Sequence, residues 1–510
     1  MALFGSLISW YFRRRIQTIE YSIHNAAEIQ NRQFKHLLET AANTVWGKLY
    51  DYKSIKSAED FAARVPVSTY EELKPYIQRT MQGEQNVLWP SEIKWFAKSS
   101  GTTNDKSKFI PVSFEALEEC HFRGGRDVLT LYCHNNPETK IFDGKGLVIG
   151  GSHKVNSYND SSNFGDLSAV IMANLPFWVN FLRTPDLSIA LMDEWEAKID
   201  RMANATVNED VTNISGVPTW TLVLINRLME MTGKKSMLEI WPNLELYIHG
   251  GVSFVPYREQ FKQLIGGSGI NYMETYNASE GFFGIQPDLS RDDMLLMTDY
   301  GVFYEFIKHE DLQSDNPRAY TIGEVEPGVN YAVLISSNAG LWRYMLGDTI
   351  KFTSVNPYRF KITGRTKLFI NAFGEELMID NAEAAIAEAC RYTNAVINDF
   401  TAAPIYFTEN NGQSAGHEWL LEFEKTPDNI DEFNQVLDNT LKSLNSDYEA
   451  KRHKDIALKP PRVHVMPQGT FHEWLKAKGK LGGQHKVPRL SNDRTIVEEI
   501  LPLKDKLTSN

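Results

Sequence analysis

A short segment rich in hydroxyl groups is one place where this chain could bind phosphate. Residues 99–103 read Ser-Ser-Gly-Thr-Thr, and Lys106 and Lys108 follow. Such a loop can surround phosphate oxygens, because glycine lets the backbone approach a ligand and the lysines offset its charge. It is not the GxxxxGK[ST] loop that joins a strand to a helix, since it joins two predicted strands, 93–97 and 108–112. An ordinary polar hairpin is the alternative.

Two carboxylates further along the chain could serve a nucleotide and its metal ion. Glu280 lies in Tyr-Asn-Ala-Ser-Glu-Gly, residues 276–281, and is either a magnesium ligand or a turn residue. Asp348 ends a segment, Trp-Arg-Tyr-Met-Leu-Gly-Asp, and its two acceptor oxygens could receive both ribose hydroxyls. Arg343 in that segment is either a fork for phosphate or carboxylate or half of a structural ion pair with an aspartate.

Three further segments could complete a site. Lys486 stands in Gly-Gln-His-Lys-Val-Pro-Arg near the carboxyl end, where a lysine is either a reactive cation or a solvated loop residue. Gly-Val-Pro-Thr-Trp at 216–220 and His-Gly-Gly-Val-Ser-Phe at 249–254 could line an apolar small-molecule pocket. Core packing is the alternative for both of these segments.

The composition places these segments in a folded, acidic protein of more than one domain. The 510 residues exceed one ordinary core, and 42% hydrophobic with 23% charged residues is typical of globular proteins. The net charge of -12 disfavours general nucleic-acid binding. The three cysteines form no CxxC pair, which argues against a disulfide framework or structural zinc and favours a reducing cytoplasm.

The amino-terminal segment is apolar but indicates no integral membrane segment. Residues 2–12 precede three arginines, the reverse of the charge order in a secretory signal, and fall far short of the roughly 20 residues that span a bilayer. We expect a first helix packed on the domain, with a helix on a membrane surface as the alternative.

The elements that must position these residues alternate between helix and strand. Strands are predicted at 147–149, 244–249, 301–308, 331–337, 358–363, 418–423 and 462–466, and helices at 220–231, 380–392 and 428–444. The pattern predicts an α/β protein. A boundary near Gly364 divides it into a large domain, 1–365, and a small α+β domain, 366–510, whose charged tail after Pro488 we expect to be partly mobile.

Taken in their order along the chain, these segments resemble those of a known family. Residues 99–111, 276–281 and 340–348 are similar to the auxin-responsive acyl acid amido synthetases, a branch of the adenylate-forming superfamily that includes firefly luciferase and acyl-CoA synthetases. Residues 216–220 and 249–254 look like the bacterial members. The resemblance covers nearly the whole chain. It implies a large N-terminal α/β domain with several mixed sheets, followed by a small mobile α+β domain.

The resemblance also implies roles for individual residues. The implied ATP-binding residues are Ser99, Ser100, Gly101, Thr102, Thr103, Lys108, Tyr276 beside adenine, Asn277, Ser279, Glu280, Asp348 on ribose, and Arg365. The implied catalytic residues are Lys486, Glu280 as magnesium ligand, and Thr102. Lys367 is the implied hinge, and the expected acyl-substrate residues are Val217, Trp220, Gly250, Gly251 and Val252.

The implied reaction uses ATP and Mg²⁺ to convert a carboxylic acid to an acyl-adenylate, which an amine, an amino acid in this family, then attacks. A thioester-forming synthetase would share the first step. Two functions without this chemistry also stay open: a non-catalytic relative that only binds a ligand, and an interaction protein that acts through its amino-terminal segment. We expect a monomer.

Overall fold

The computed structural model describes residues 15–100, 107–150, 155–192, 194–267, 269–312, 314, 316–366, 368–406, 415–455, 457–478 and 487–508. These residues group into two units, one within 1–99 and 109–366 and the other within 100–108 and 367–510. Helices and strands alternate along both, which confirms the mixed α/β class with several mixed sheets.

The strands have the following bounds: β1 Trp95–Ser100, β2 Ser107–Val112, β3 Lys145–Ile149, β4 Asn156–Ser157, β5 Asn163–Gly165, β6 Arg183–Thr184, β7 Val211–Gly216, β8 Leu246–Gly250, β9 Asn271–Ala278, β10 Gly281–Ile285, β11 Met294–Leu296, β12 Val302–Lys308, β13 Ala319–Thr321, β14 Asn330–Ser337, β15 Tyr344–Val355, β16 Tyr358–Arg365, β17 Phe369–Ile370, β18 Leu377–Met378, β19 Val396–Ile405, β20 Gly416–Lys425 and β21 Arg462–Met466.

The helices begin with α1, residues 15–24. The others are α2 Ala26–Ala41, α3 Val45–Leu49, α4 Ala58–Arg64, α5 Tyr70–Met81, α6 Phe122–Asn135, α7 Leu167–Asn174, α8 Leu187–Ala190, α9 Trp195–Thr206, α10 Pro218–Thr232, α11 Arg258–Ile265, α12 Ile379–Tyr392, α13 Ile430–Leu444, α14 Ser446–Arg452, α15 Thr470–Ala477, α16 Thr495–Ile500 and α17 Leu503–Thr508. A π-helical turn, Ala116–His121, leads directly into α6. None of the described helices is long and apolar enough to cross a membrane.

A twelve-stranded mixed sheet dominates the first unit, in the order β13-β12-β14-β15-β16-β11-β10-β9-β8-β7-β3-β6. The five strands from β6 to β9 run parallel, and every pairing from β9 to β13 is antiparallel. β14 is buried along nearly its whole length, as expected for a strand that is covered on both faces.

The parallel strands end at one edge of this sheet in small residues. Gly150 follows β3, Gly216 ends β7, Gly250 ends β8 and Ala278 ends β9. Ligands of open α/β sheets bind outside the carboxyl ends of the strands, and small residues leave room for them there. The predicted acyl segments 216–220 and 249–254 both begin at this edge.

The first described helix is tied to the rest of the first unit by charge. Arg15 Nη2 lies 2.9 Å from Asp127 Oδ2 and 2.8 Å from Asp299 Oδ2, and Ile19 on the same helix is buried. Residues 15–24 therefore form a helix that packs on the first unit. Residues 2–12, for which a packed first helix is expected, lie outside the described residues, so that expectation stays a prediction.

The second unit contains the three-stranded sheet β19-β20-β21. The tail after Pro488, predicted to be loose, is instead hydrogen-bonded to β19: Ala402 N donates to Arg489 O at 2.9 Å, and Thr401 Oγ1 donates to Pro488 O at 2.7 Å. α16 then packs Val497 and Ile500 into the apolar core of this unit. Charge in the tail misled the prediction, because its apolar residues are the ones that are buried.

Candidate functional site

The Asp348 carboxylate is the centre of the candidate site. Its Oδ2 accepts a hydrogen bond from the Tyr276 hydroxyl at 2.6 Å, and its Oδ1 accepts from Arg365 Nε at 2.9 Å. The side chains of Asp348 and Arg365 are 13% and 17% exposed. Burial, followed by the negative charge of Asp348, raises the pKa of Tyr276 well above its ordinary value, so the hydroxyl keeps its proton and donates it.

This arrangement requires a strongly curved sheet. Tyr276 belongs to β9 and Asp348 to β15, and three strands separate these two in the sheet order. A flat sheet would place them about 19 Å apart, at roughly 4.8 Å per strand spacing. Gly284 on β10 helps the sheet to close, because a Cβ there would lie 2.7 Å from the Phe360 ring on β16. The curvature brings three predicted ATP-binding residues together.

The predicted metal ligand, Glu280, stands at the tip of a tight hairpin. Ala278 on β9 pairs with Gly281 on β10, so Ser279 and Glu280 alone form the connection. The Tyr344 hydroxyl lies 3.3 Å from Glu280 Oε1. The sequence predicts no role for Tyr344, although a hydroxyl four positions before Asp348 in the same segment is a signal that could identify it.

The chemistry of these donors fits magnesium bound together with a nucleotide. Among the described residues no group of three or more His, Cys, Asp or Glu is arranged to hold a metal ion by itself. Mg²⁺ usually keeps several waters and binds through one or two carboxylates together with substrate phosphates. A single half-buried carboxylate, Glu280, is compatible with that mode of binding.

Two of the predicted acyl-substrate residues, Gly250 and Gly251, lie near the predicted ATP-binding residue Asn277 or the predicted wall residue Val217. A Cβ on Gly250 would meet Thr275 O at 2.5 Å and Asn277 Oδ1 at 3.2 Å, so this glycine is required by the close approach of β9. Gly251 has φ +81°, and its nearest neighbour is Val217 Cγ2 at 3.6 Å. The candidate pocket wall and Asn277, which is exposed, therefore meet at the carboxyl edge.

The two other residues of the predicted wall are buried. Val252 is 7% exposed, and Trp220 on α10 is 3% exposed. Burial at this level fits either a lining that a ligand would cover or plain packing, so the acyl roles of both residues stay predictions.

An aromatic plug holds the loop that follows β8. The Phe254 ring stacks on the His249 ring at 4.1 Å between centroids and lies 5.2 Å from the Tyr272 ring and 5.3 Å from the Phe261 ring. Burial lowers the pKa of His249 to about 3, and neither ring nitrogen has a hydrogen-bond partner among the described residues. His249 therefore remains neutral at ordinary pH and serves as a stacking surface for the loop.

Several predicted residues lie where their geometry is not described. Ser99 lies in β1 and Lys108 lies in β2, which confirms the two strands that flank the hydroxyl-rich loop. Outside the described residues lie Gly101, Thr102, Thr103, Lys367 and Lys486; the Ser100 side chain is likewise not described. Their roles stay predictions.

The Arg343 guanidinium is bound entirely to groups inside the protein. Its Nε lies 2.9 Å from Glu305 Oε2, and its Nη1 donates to Ala62 O at 3.0 Å and to Val65 O at 2.7 Å. The two side chains of the ion pair are 5% and 4% exposed. The fork interpretation is therefore wrong and the structural ion pair is correct, with a glutamate on β12 as partner instead of an aspartate.

Known proteins match this chain along nearly its whole length. Models of the GH3 family N-terminal, central and C-terminal domains match residues 15–270, 295–365 and 380–495. Indole-3-acetic acid-amido synthetase GH3.3 of Arabidopsis thaliana is 22% identical, over 95% of this chain and 93% of its own. Jasmonoyl–L-amino acid synthetase JAR4 of Nicotiana attenuata is 24% identical, over 93% and 92%.

Solved structures share the fold. GH3.15 acyl acid amido synthetase superposes with a TM-score of 0.62 at 17% identity and covers 96% of both chains. A 2-hydroxyisobutyryl-CoA ligase superposes with a TM-score of 0.52 at 15% identity, over 95% of this chain and 92% of its own. The resemblance to the acyl acid amido synthetases is confirmed by the family models and the named relatives.

Breaking the buried ion pair should destabilise the first unit. Arg343→Met leaves the Glu305 carboxylate, whose pKa burial raises, without its cation, and removing one partner of such a pair costs about 3–5 kcal/mol. The control is Arg32→Met, because Arg32 pairs with Glu28 at 3.1 Å on the surface and such pairs contribute little. Urea unfolding measures both variants; equal losses in the two would contradict this assignment.

His249 should make the protein sensitive to acid. Its pKa is about 3 in the fold against an ordinary 6.5, so below about pH 6.5 the unfolded chain binds a proton that the folded chain excludes. The free energy of unfolding should then fall by up to about 1.4 kcal/mol per pH unit. His249→Phe should lose less stability than the parent between about pH 7 and pH 5 in urea unfolding. A pH dependence identical to that of the parent, or to that of the exposed control His36→Phe, would disprove the assignment.

Proposed function

We propose that this chain, which belongs to the GH3 family, activates a carboxylic acid with ATP as an acyl-adenylate and transfers the acyl group to an amine. The observation that carries the proposal is the hydrogen-bonded cluster of Tyr276, Asp348 and Arg365, which lies beside the hairpin that bears Glu280. Its relatives are named indole-3-acetic acid-amido synthetase and jasmonoyl–L-amino acid synthetase.

This hydrogen-bonded cluster is suited to bind the ribose of ATP. Tyr276 and Arg365 each hold one oxygen of Asp348, which fixes the plane of the carboxylate. Each oxygen has a second lone pair that can accept a ribose hydroxyl. Tyr276 would lie beside the adenine, and Asn277 and Ser279 would complete the nucleotide contacts at the ends of β9 and β10.

The first step must bring one anion to another. A carboxylate oxygen attacks the α-phosphorus of ATP, the bond to the β-phosphate oxygen breaks, and pyrophosphate leaves. The donors assigned to offset the accumulating charge are the loop from Ser99 to Thr103, Lys108 and Lys486. Charged and dipolar groups fixed in advance are usually the largest contribution to such catalysis. Mg²⁺ bound to the phosphates supplies further neutralisation when present, and Glu280 is the residue assigned to hold it.

The second step forms the amide. The nitrogen of an amine, which we propose to be that of an amino acid, attacks the acyl carbon, loses a proton and expels AMP. Between the steps, a small domain, residues 366–510, would rotate against the large domain, 1–365, about Lys367, as a gating motion. Val217, Trp220 and the Gly250–Val252 segment would form the acyl site at the carboxyl edge.

The setting of the reaction is part of the proposal. Two of the three cysteines, Cys120 and Cys133, are buried and are not part of a disulfide, and burial raises the pKa of Cys120 to about 12. Free thiols are typical of a reducing compartment, so we propose that the enzyme works in the cytoplasm. We also propose that it works as a monomer, which light scattering on the purified chain would test.

ATP–pyrophosphate exchange tests the proposed function. The chain is incubated with ATP, Mg²⁺ and labelled pyrophosphate over a panel of aliphatic, aromatic and indole carboxylic acids, without an acceptor. Exchange that depends on the acid is expected; its absence over the whole panel would count against adenylation. Amino acids and coenzyme A, added separately to the active acid, then distinguish amide from thioester formation.

Lys486→Ala should slow acyl-adenylate formation by about 100- to 1000-fold, because a cation would be missing where negative charge accumulates. ATP binding, followed by calorimetry, should change little. Lys476→Ala is the control, since Lys476 is an exposed lysine on α15. An exchange rate equal to that of the parent would remove Lys486 from the mechanism.

Glu280→Gln should raise the Mg²⁺ concentration needed for half-maximal exchange by about tenfold or more, since the amide keeps the shape but not the charge. Exposed Glu259, which is 78% exposed, provides the control Glu259→Gln. An unchanged Mg²⁺ requirement in Glu280→Gln would place the metal elsewhere.

A further inference from the structure

The hairpin that carries Glu280 is supported from behind by α6 and the π-helical turn before it. We propose that Cys120 and Gly124 form a seat for Phe282 that positions the Glu280 carboxylate, and that this seat thereby controls the affinity for magnesium–ATP. The inference rests on the proposed function and assigns positioning residues outside the nucleotide-binding segments.

The hairpin transmits the position of Phe282 to Glu280. Only Ser279 and Glu280 connect the paired residues Ala278 and Gly281, and Phe282 follows two residues after Glu280. A two-residue connection has few allowed conformations. A displacement of Phe282 must therefore move the carboxylate relative to the Tyr344 hydroxyl, which lies 3.3 Å from Glu280 Oε1.

The seat is formed by two residues on one face of the helix. The backbone N–H of Phe282 donates to Cys120 Sγ at 3.1 Å. A Cβ on Gly124 would lie 2.4 Å from Cγ of the Phe282 ring, so the ring rests directly on the helix backbone. Positions four apart face the same way on a helix, and Phe282 contacts both of them.

The same segment links the hairpin to the strand that leaves the hydroxyl-rich loop. β2 ends at Val112, and Ser113 then fixes the start of the helical segment: its Oγ accepts from Ala116 N at 2.9 Å and donates to Asn338 O at 2.7 Å. The π-helical turn follows, and such turns occur frequently at functional sites. The segment thus connects β2 to the hairpin that bears the predicted metal ligand.

Two adjacent glycines in α6 allow the effect of a substitution on the position of the hairpin to be distinguished from its effect on helix stability. Glycine in a helix costs about 1 kcal/mol relative to alanine, and both Gly124 and Gly125 carry that cost. A Cβ on Gly125 would meet nothing within 4 Å, whereas one on Gly124 would collide with Phe282. Alanine at position 124 should therefore displace the hairpin, whereas alanine at position 125 should leave it in place.

The test compares Gly124→Ala with Gly125→Ala in the exchange assay at varied Mg²⁺. Gly124→Ala should raise the half-saturating Mg²⁺ concentration by about tenfold, comparable to the loss of a residue that orients a metal ligand. Gly125→Ala should keep the parental value and melt at a higher temperature. The double variant Gly124→Ala/Phe282→Ala, which removes the ring atoms Cγ, Cδ1 and Cδ2 that the new Cβ would meet, should recover part of the loss.

A second pair keeps the proposal testable if Gly124→Ala does not fold. Cys120→Ala removes the acceptor for the Phe282 N–H and should also raise the half-saturating Mg²⁺ concentration. Cys120→Ser keeps an acceptor and should show a value close to that of the parent. Cys133→Ala is the control, because Cys133 is also a buried cysteine of the same helical segment. A lower melting temperature with a parental Mg²⁺ requirement, in Gly124→Ala or in Cys120→Ala, would overturn the proposal.

Calorimetry of ATP binding with and without Mg²⁺ distinguishes the two inferences. If the parent binds ATP more tightly with Mg²⁺ but shows no exchange with any acid, the proposed function fails while the seat can still be measured. Gly124→Ala should then lose the gain in affinity that Mg²⁺ provides. If Gly124→Ala keeps that gain in full, the seat has no role in magnesium binding.

Discussion

The bridge that Asp348 makes between Tyr276 and Arg365 is the contact on which the rest of the site depends. It joins β9, the last parallel strand, to β15 and β16 of the antiparallel half. The two halves of the sheet thus share a polar contact at the point where a nucleotide would bind. Because the carboxylate is mostly buried and bonded on both oxygens, its orientation is set before any ligand arrives, and preorganisation of this kind reduces the cost of binding.

The two halves of the curved sheet contribute different features to the candidate site. The parallel half ends in small residues, among them Gly216 and Gly250, and provides space at its carboxyl edge. The antiparallel half contributes Asp348, Arg365 and the buried Arg343–Glu305 pair, which is used for packing and not for a ligand. The small residues at the carboxyl edge and the charged residues Asp348 and Arg365 therefore come from different parts of one sheet. Tyr276, at the border between the two halves, contacts Asp348.

The strands and helices that local patterns in the sequence predicted are present in the fold, but they are a minority of its elements, and few of the pairings were predicted. β14 and α12 fall within one residue of the expected 331–337 and 380–392, because apolar periodicity is a local property. The partner of Arg343 is a glutamate within the apolar strand Val-Phe-Tyr-Glu-Phe-Ile-Lys, and only the tertiary fold brings the two together. The contact of Tyr276 with Asp348, across 72 positions, is likewise set by sheet curvature.

The support of the hairpin shows a second limit of local reasoning. Gly124 reads as an unfavourable residue within a helix, and nothing nearby in the sequence explains it. The reason is the ring of Phe282, which occupies the space that a side chain would need. Motif segments predicted the ATP-binding residues, whereas the residues behind them became visible only through packing.

The fate of the carboxylate oxygen tests the central claim most directly. The acid identified by exchange is labelled with ¹⁸O in its carboxylate and turned over with ATP, Mg²⁺ and an amine acceptor, and the products are weighed by mass spectrometry. Attack on the α-phosphorus, followed by expulsion of AMP, predicts one ¹⁸O atom in each AMP and none in pyrophosphate. Label in inorganic phosphate, with ADP as the nucleotide product, would show attack on the γ-phosphorus and would contradict an acyl-adenylate.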